Sequence, residues 1–531
     1  MENKKGMTMT VVTLIAASIM ASACSSKGGG GATGGNADAG KKAETGSQST
    51  PKKSSGKVSA SIYDRGAVAA DQGTYEKNKW TDWINKQSGI DVSWTPIPRW
   101  EEQDKFNVLV ASGQAPDLIT SYDRAMLARF VSQGVAQPID EYVKKYSTSY
   151  KAYLEKHPEL LPYVTFDGKM YAIASVRPTR AQTQIWVRKD WLDKLGLKMP
   201  TSVDELIEVA KAFRDKDPDG NNAKDTTAIA MSGAYGAIVD DWFMARGGEW
   251  FLENGKATLN FFTGRYEDSL AFRKLVYDEG LVDKEFVTDQ NYERQKQLWV
   301  TGKAGFMFGT MTDGLYPEFF QNQPNAVIAP VGVLSTKYGT NGYQKEQPNY
   351  LLTILNKNAK DPEAGMKFVD WMIDDGWKTL TYGKEGEDHV VKNGLPVISD
   401  PNKFKKEVGF MSEYRIVNQE KMTAESMLAA AGDDPIQQKI ARLRGEMFKI
   451  SESTPYRKDF PYPPTVDEYS SVAGQFTKKW QELITQVTMG GKAKTPEWGI
   501  QELKKEWSNL GGEEINAKVQ KWYDSNKGSL K

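Results

Sequence analysis

The chain has 531 residues, of which 39% are hydrophobic and 26% charged, a globular composition long enough for two or more folded units. Lys plus Arg and Asp plus Glu balance at 69 each, so no net positive field exists to hold DNA or RNA, and nucleic acid is not an expected partner. One cysteine and two histidines, His157 and His389, exclude disulfide frameworks, Cys-rich zinc sites, Fe–S clusters and His-rich metal centres.

At the N-terminus, Lys4 and Lys5 precede an apolar run from Val11 to Ala23 that ends in the small residues Ala21, Ser22 and Ala23. This is the pattern of a signal peptide over 1–23, and the run is too short for a spanning helix, which needs about 20 residues. Cys24 follows directly. A lone cysteine after a small-residue cleavage site resembles the lipobox of bacterial lipoproteins, with a departure at Ala21, where Leu or Val is usual. The resemblance implies diacylation of Cys24 and attachment to the outer face of the cell membrane; the alternative is an ordinary secreted protein cut nearby. Residues 24–57 are rich in Gly, Ser, Ala and Lys, including Gly28 to Gly31, and read as a flexible tether with a mean reach of about 30 Å. Its six lysines face only Asp38 and Glu44, which suits an anionic membrane surface and leaves the body slightly acidic.

From Val58 onward short apolar strands alternate with amphipathic helices, the pattern of α/β layers with a mostly parallel sheet. Strands are expected at Val58 to Ile62, Asp91 to Ile97 and Asp117 to Thr120. Helical spacing covers Tyr75 to Lys86 through Trp80, Trp83 and Ile84, and a further helix ends near Ala111. Ligands of such sheets sit beyond the carboxyl ends of strands, so the loops carrying Tyr63, Asp64, Arg65, Tyr122 and Asp123 face the expected site. Thr201 with Asp204 reads as a helix N-cap, Asp361-Pro362-Glu363 opens another helix, and the stretch from about Pro464 is helical.

Several strings in fixed order carry a family resemblance: Ala111-Ser112-Gly113-Gln114-Ala115-Pro116-Asp117, Gly168-Lys169-Met170-Tyr171-Ala172-Ile173, Arg188-Lys189-Asp190-Trp191-Leu192, Gly302-Lys303-Ala304-Gly305-Phe306 and Tyr382-Gly383-Lys384-Glu385-Gly386. Together they resemble the extracellular solute-binding proteins that deliver sugars to ABC transporters, specifically the long LipO-like lipoproteins. The resemblance implies an α/β, two-lobe periplasmic-binding-protein fold of type II-like form, with hinge crossovers and a ligand cleft. By that analogy the crossings fall near Val176, Phe306 and Leu355, giving 58–175 plus 306–355 as lobe 1 and 176–305 plus 356–531 as lobe 2. It also implies an ABC permease as partner and a monomeric state.

The segment from Asp215 to Thr226 places side-chain oxygens at alternate positions, as a calcium loop requires for six to eight oxygen ligands. A register starting at Asp215 lacks a carboxylate at its twelfth position. The register Asp217, Asp219, Asn221, the carbonyl of Ala223, Asp225 and Thr226 resembles the calcium loop of alginate-binding relatives, departing at Thr226 where those have a carboxylate. A solvated polar turn is the alternative, and calcium would be structural.

Fifteen Trp, 23 Tyr and 20 Phe make the chain 11% aromatic, and pyranose C–H faces stack on such rings. The expected sugar platforms are Tyr63, Trp100, Tyr122, Trp186, Tyr235, Trp242, Trp250 and Tyr382, with Asp64, Arg65, Asp123 and Arg177 as polar partners; each also fits a core position. The expected function is capture of an oligosaccharide without turnover. The chain has no G-x-S-x-G, H-E-x-x-H or P-loop lysine motif. A secreted glycoside hydrolase with paired carboxylates and a peptide-binding or sensor lipoprotein of the same fold are the alternatives.

Overall fold

The computed structural model describes residues 56–528 apart from 179–182, 234–236, 290, 311–313, 393, 420–421, 461–463 and 465. The described residues fall within one compact unit, Pro51–Lys531. The expected signal segment, Cys24 and nearly all of the tether lie outside the described residues, as does Tyr235.

The two larger sheets are built from β1 (Lys57–Asp64), β2 (Asp91–Pro98), β3 (Leu118–Ser121), β4 (Ala172–Val176), β5 (Thr183–Arg188), β6 (Thr227–Ala230), β7 (Ala304–Thr310), β8 (Ile328–Pro330) and β9 (Asn349–Leu355). The helices used below are α1 (Lys79–Ser88), α2 (Glu102–Ala111), α3 (Arg124–Ser132), α4 (Val203–Asp215), α5 (Gly264–Asp278), α6 (Pro362–Trp371), α7 (Pro435–Ser453), α8 (Asp467–Met489), α9 (Pro496–Asn509) and α10 (Gly512–Asn526).

Lobe 1 holds the sheet β2-β1-β3-β9-β4, in which β1 runs parallel to β2 and β3 while β9 runs antiparallel to both β3 and β4. Lobe 2 holds β8-β5-β7-β6, with only the β7–β6 pair parallel. Both sheets are therefore mixed rather than mostly parallel. The antiparallel pairs arise where chain arriving from the other lobe enters a sheet, because a strand that has crossed need not follow the right-handed βαβ path. Asp117 has a structural task in the parallel part of the lobe 1 sheet: its Oδ2 accepts from both the N–H and the hydroxyl of Ser59 at 2.8 Å, locking the start of β3 to β1.

One hydrophobic core joins residues between Val58 and Ala174 to residues between Leu352 and Val417, and separate cores join Ile185 through Tyr343 to helices α7 to α10. This relocates two of the expected boundaries. Phe306 is no crossing; it lies within β7 of lobe 2, its ring 5.4 Å from Phe213 of α4. Gly305 permits that approach, since a Cβ there would meet the Phe213 ring at 2.1 Å. Leu355 is no crossing either, since the chain stays in lobe 1 through α6, where Phe368 packs on Trp94 of β2 at 6.1 Å. Segment 306–343 thus belongs to lobe 2 and 356–417 to lobe 1. The chain crosses after Val176, between Tyr343 and Asn349, and beyond Val417. The three passages are stitched together: Arg177 N–H donates to Pro348 O, Asn418 N–H to Ser175 Oγ and Met422 N–H to Pro178 O.

Local starts are set by side-chain caps. Asn78 and Thr81 form a reciprocal capping box for α1, so the helix begins after Tyr75, whose carbonyl accepts from the Tyr414 hydroxyl. The N-cap of α4 is Ser202, one residue beyond the expected Thr201, because Ser202 Oγ reaches the N–H of Glu205 while Glu205 itself holds Thr201. Asp361 caps α6 as its sequence predicts. Among the described residues no helix is long and apolar enough to cross a membrane.

Candidate functional site

The lobe 1 wall is assembled at the carboxyl ends of β1, β2 and β3. Tyr63 and Tyr122 stack with ring centroids 5.3 Å apart and planes 4° from parallel. The Arg99 guanidinium lies 4.8 Å from one ring centroid and 4.9 Å from the other, a cation–π contact with both. Glu102, at the start of α2, anchors this cluster: it pairs with Arg99 at 3.1 Å and accepts from the hydroxyls of Tyr63 and of Ser121. Burial, reinforced at Tyr63 by Glu102, holds both tyrosine hydroxyls protonated far above the ordinary tyrosine range. The Tyr122 hydroxyl donates to that of Tyr350 at 3.1 Å, and Arg65 pairs with Glu413 at 2.9 Å. Burial pushes the Glu413 carboxyl up, against the pull of Arg65. A cavity of about 40 Å³, enough for a few waters, sits between Tyr63, Tyr122, Tyr350 and Glu413.

The lobe 2 wall is built on charge. Asp241 holds Arg246 through two bonds of 2.9 Å, and Asp240 holds Arg273 at 2.7 Å, both carboxylates being fully buried. Each charge is therefore matched, as burial demands. On this base stands Glu249, which accepts from Gln344 at 3.2 Å and whose carboxyl is raised by burial despite Arg246. Between the walls runs a cavity of about 320 Å³, lined by Tyr122, Asp123 and Arg124 of lobe 1, Glu249 and Lys458 of lobe 2, and Arg177 with Gln344–Gln347 of the crossings. Arg177 is fixed by Gln347 O at 3.1 Å, by Glu346 at 3.7 Å and by the Tyr350 ring at 5.4 Å.

Of the residues expected from sequence, Tyr63, Arg65, Tyr122, Asp123 and Arg177 come together here. Asp123 lines the cleft but also caps α3, accepting from Ala125 and Met126. Asp64 accepts from the N–H of Gly66 in its own turn. Trp100 is 88% exposed, with Arg99 5.2 Å from its ring, and lines neither cavity. The other tryptophans are corrections. Trp186 and Trp242 have no exposed surface and Trp250 has 4%: Trp186 lies in doubly covered β5, Trp242 between Phe272 and Phe308, and Trp250 against Tyr469 and Trp507. Tyr382 packs on Trp377 and His389, away from the cleft lining. Sequence reasoning missed Arg99, Glu102, Glu249, Tyr350 and Glu413. Applying the strand-end rule to β2 as well as β1 and β3 finds Arg99 and Glu102; no local signal marks the other three.

The oxygen-rich loop follows α4. Asp217, at φ 45°, accepts from the N–H groups of Gly220, Asn221 and Asn222, each at 3.1 Å. The Asn221 amide nitrogen donates to Asp219 at 2.8 Å and Asp225 at 3.0 Å, so a partial positive charge bridges two carboxylates where a cation would stand. Lys303 adds its charge to Asp225 at 2.9 Å. Among the described residues no three carboxylate, His or Cys side chains converge as a ready metal cage. The Thr226 hydroxyl is buried and makes no hydrogen bond to protein.

Two discontinuous lobes on mixed sheets, joined by stitched crossings around a cleft, define a hinged ligand-binding protein. Residues 33–379 match the family described as bacterial extracellular solute-binding protein, and the chain belongs to that family. It is 27% identical over 469 residues to Lipoprotein LipO of Bacillus subtilis (strain 168), covering 84% of this chain and 88% of that one. It is 31% identical over 311 residues to the polygalacturonan/rhamnogalacturonan-binding protein YtcQ of the same organism, covering 56% and 60% respectively. The solved structure of an HMO binding ABC-transporter associated solute binding protein from Bifidobacterium longum infantis ATCC 15697 shares the fold at a TM-score of 0.69 and 18% identity, over 88% of this chain and 98% of that one.

Proposed function

We propose that the protein captures an oligosaccharide in its interlobe cleft, outside the cytoplasmic membrane, and presents the closed form to an ABC importer. The observation that carries this reading is the pairing of unlike walls: Tyr122, braced by its stack on Tyr63, and Arg124 on lobe 1 face the carboxyl of Glu249 on lobe 2 across one cavity, with the Gln344 amide at the crossing between them. A sugar offers a C–H face to the first and hydroxyls to the second, so neither wall alone satisfies it. Binding energy realised only when both lobes touch the ligand then drives closure about the three crossings. The names of YtcQ and of the Bifidobacterium protein, which specify polysaccharide binding and ABC-transporter association, support the same reading. No covalent step is required, and the ligand leaves unaltered.

The same proposal has Cys24 lipidated after removal of 1–23, the tether holding a monomeric body near its permease, and calcium pinning the Asp217–Thr226 loop through Asp217, Asp219, Asn221, the Ala223 carbonyl, Asp225 and Thr226. Calcium would take the place between carboxylates that the Asn221 amide fills, and would supply rigidity rather than chemistry. Calorimetry against a glycan panel, with X-ray scattering on the same samples, tests the central claim. Heat of binding accompanied by a smaller radius of gyration and no released reducing sugar is expected; reducing ends appearing with time would point to a hydrolase, and heat only with peptides would replace the ligand class.

A further inference from the structure

A second space adjoins the interlobe cavity. Arg124 and Ala128 of α3 line that cavity and also line the second, larger groove of about 890 Å³, nearly three times its volume. One side of this groove is lobe 1, with Leu161 and the exposed Asp167–Gly168 turn; the other is lobe 2, with Val466 and with Lys521 and Trp522 of α10. Building on the oligosaccharide reading above, we propose that this groove is an extension of the binding site that holds the distal units of longer glycans.

Three features argue for that occupant. Trp522 is half-buried and stacks on buried Phe460 with centroids 6.1 Å apart and planes 20° from parallel, so its ring is held in place before any ligand arrives. Leu161 across the groove is 41% exposed. Aromatic and aliphatic surface on facing walls, interleaved with Asp167, Glu468 and Lys521, matches the alternation of C–H faces and hydroxyls along a glycan. Acidic and basic groups are mixed, with Lys518 paired to Glu468 and Glu514, so the groove has no single-sign field of the kind that holds a polyanion. Finally, because the groove is bounded by both lobes, an occupant continuous with the cleft ligand adds contacts across the closing gap. Longer chains therefore favour the closed form more than short ones.

The test is calorimetry on the intact protein with two size-fractionated series of uncharged glycans, inulin-type fructo-oligosaccharides and malto-oligosaccharides, from disaccharide to octasaccharide. Affinity is expected to keep rising with length beyond the shortest binder. Trp522→Ala should cost the longest binder about tenfold in affinity while leaving the shortest binder within about twofold. Leu161→Asn, at an exposed position where the fold is not at stake, should lower long-chain affinity alone in the same direction. Length-independent affinity, or losses equal at every length in both variants, would overturn the extension and leave the cleft reading standing. No binding of any length by the unaltered protein would overturn both.

Discussion

The two lobes treat their aromatic residues in opposite ways. In lobe 1, Tyr63, Tyr122 and Tyr350 stand at strand ends, hydrogen-bonded to Glu102 and to one another and bordering the cleft. In lobe 2, Trp186, Trp242 and Trp250 are absorbed into the core, and the cleft wall is left to Glu249 and Lys458. The difference teaches that a tyrosine can serve a site edge because its hydroxyl finds polar partners there, whereas an indole surrounded by phenylalanines contributes most as volume. Lobe 1 is thus the prepared platform and lobe 2 the closing jaw.

This contrast can be broken by substitution. Trp242→Ala opens a cavity between Phe272 and Phe308 and should destabilise the protein by about 3 to 5 kcal/mol in denaturant unfolding, with ligand affinity of the folded fraction little changed. If Trp242 touched ligand, affinity would fall with stability. Calcium at about 100 times its dissociation constant should add about 2.7 kcal/mol, seen as a higher melting temperature than in EGTA and abolished in Asp219→Ala; coincident melts would remove calcium from the loop. Tyr122→Ala should reverse the Trp242 pattern, weakening glycan binding by about tenfold, about 1.4 kcal/mol, while unfolding shifts by less than that.

The smallest effect concerns Glu249. Burial raises its folded carboxyl above the ordinary Glu range, so the folded state binds its proton more tightly than the unfolded chain does. Its contribution to stability is therefore present below the unfolded value and lost as pH rises through the folded one. Glu249→Gln should flatten the fall in unfolding free energy over that window. An unchanged pH profile would show that Arg246 and Lys458 already neutralise the site.

Much of this was legible in the residues, and the gaps have physical causes. Strands at 58–62, 91–97 and 117–120 and the Asp361 cap follow from apolar runs and capping chemistry, which act over a few residues. The rule that ligands meet strand ends pointed to Tyr63, Arg65, Tyr122 and Asp123 for the same reason, and the structure gathers them at that end of lobe 1. Burial of Trp186 was not legible, because β5 is covered on both faces and has no alternation to reveal an inside. Glu249, Tyr350 and Glu413 reach the cleft from segments far apart in the chain, so no local spacing marks them. The misplaced crossings share that cause, since only long-range pairing reveals to which sheet β7 and β9 belong.

The insertion of β9 between β3 and β4 bears on how the chain must be made. The register that joins Leu352 to Ser121 cannot form until the whole stretch in between has been synthesised. The first lobe therefore emerges with an open seam in its central sheet, while the second lobe's interior strands arrive as one run from β5 to β8. Non-local pairing of this kind slows folding and leaves strand edges uncovered in the interim. Closure of that seam is therefore a late step in the folding of the first lobe.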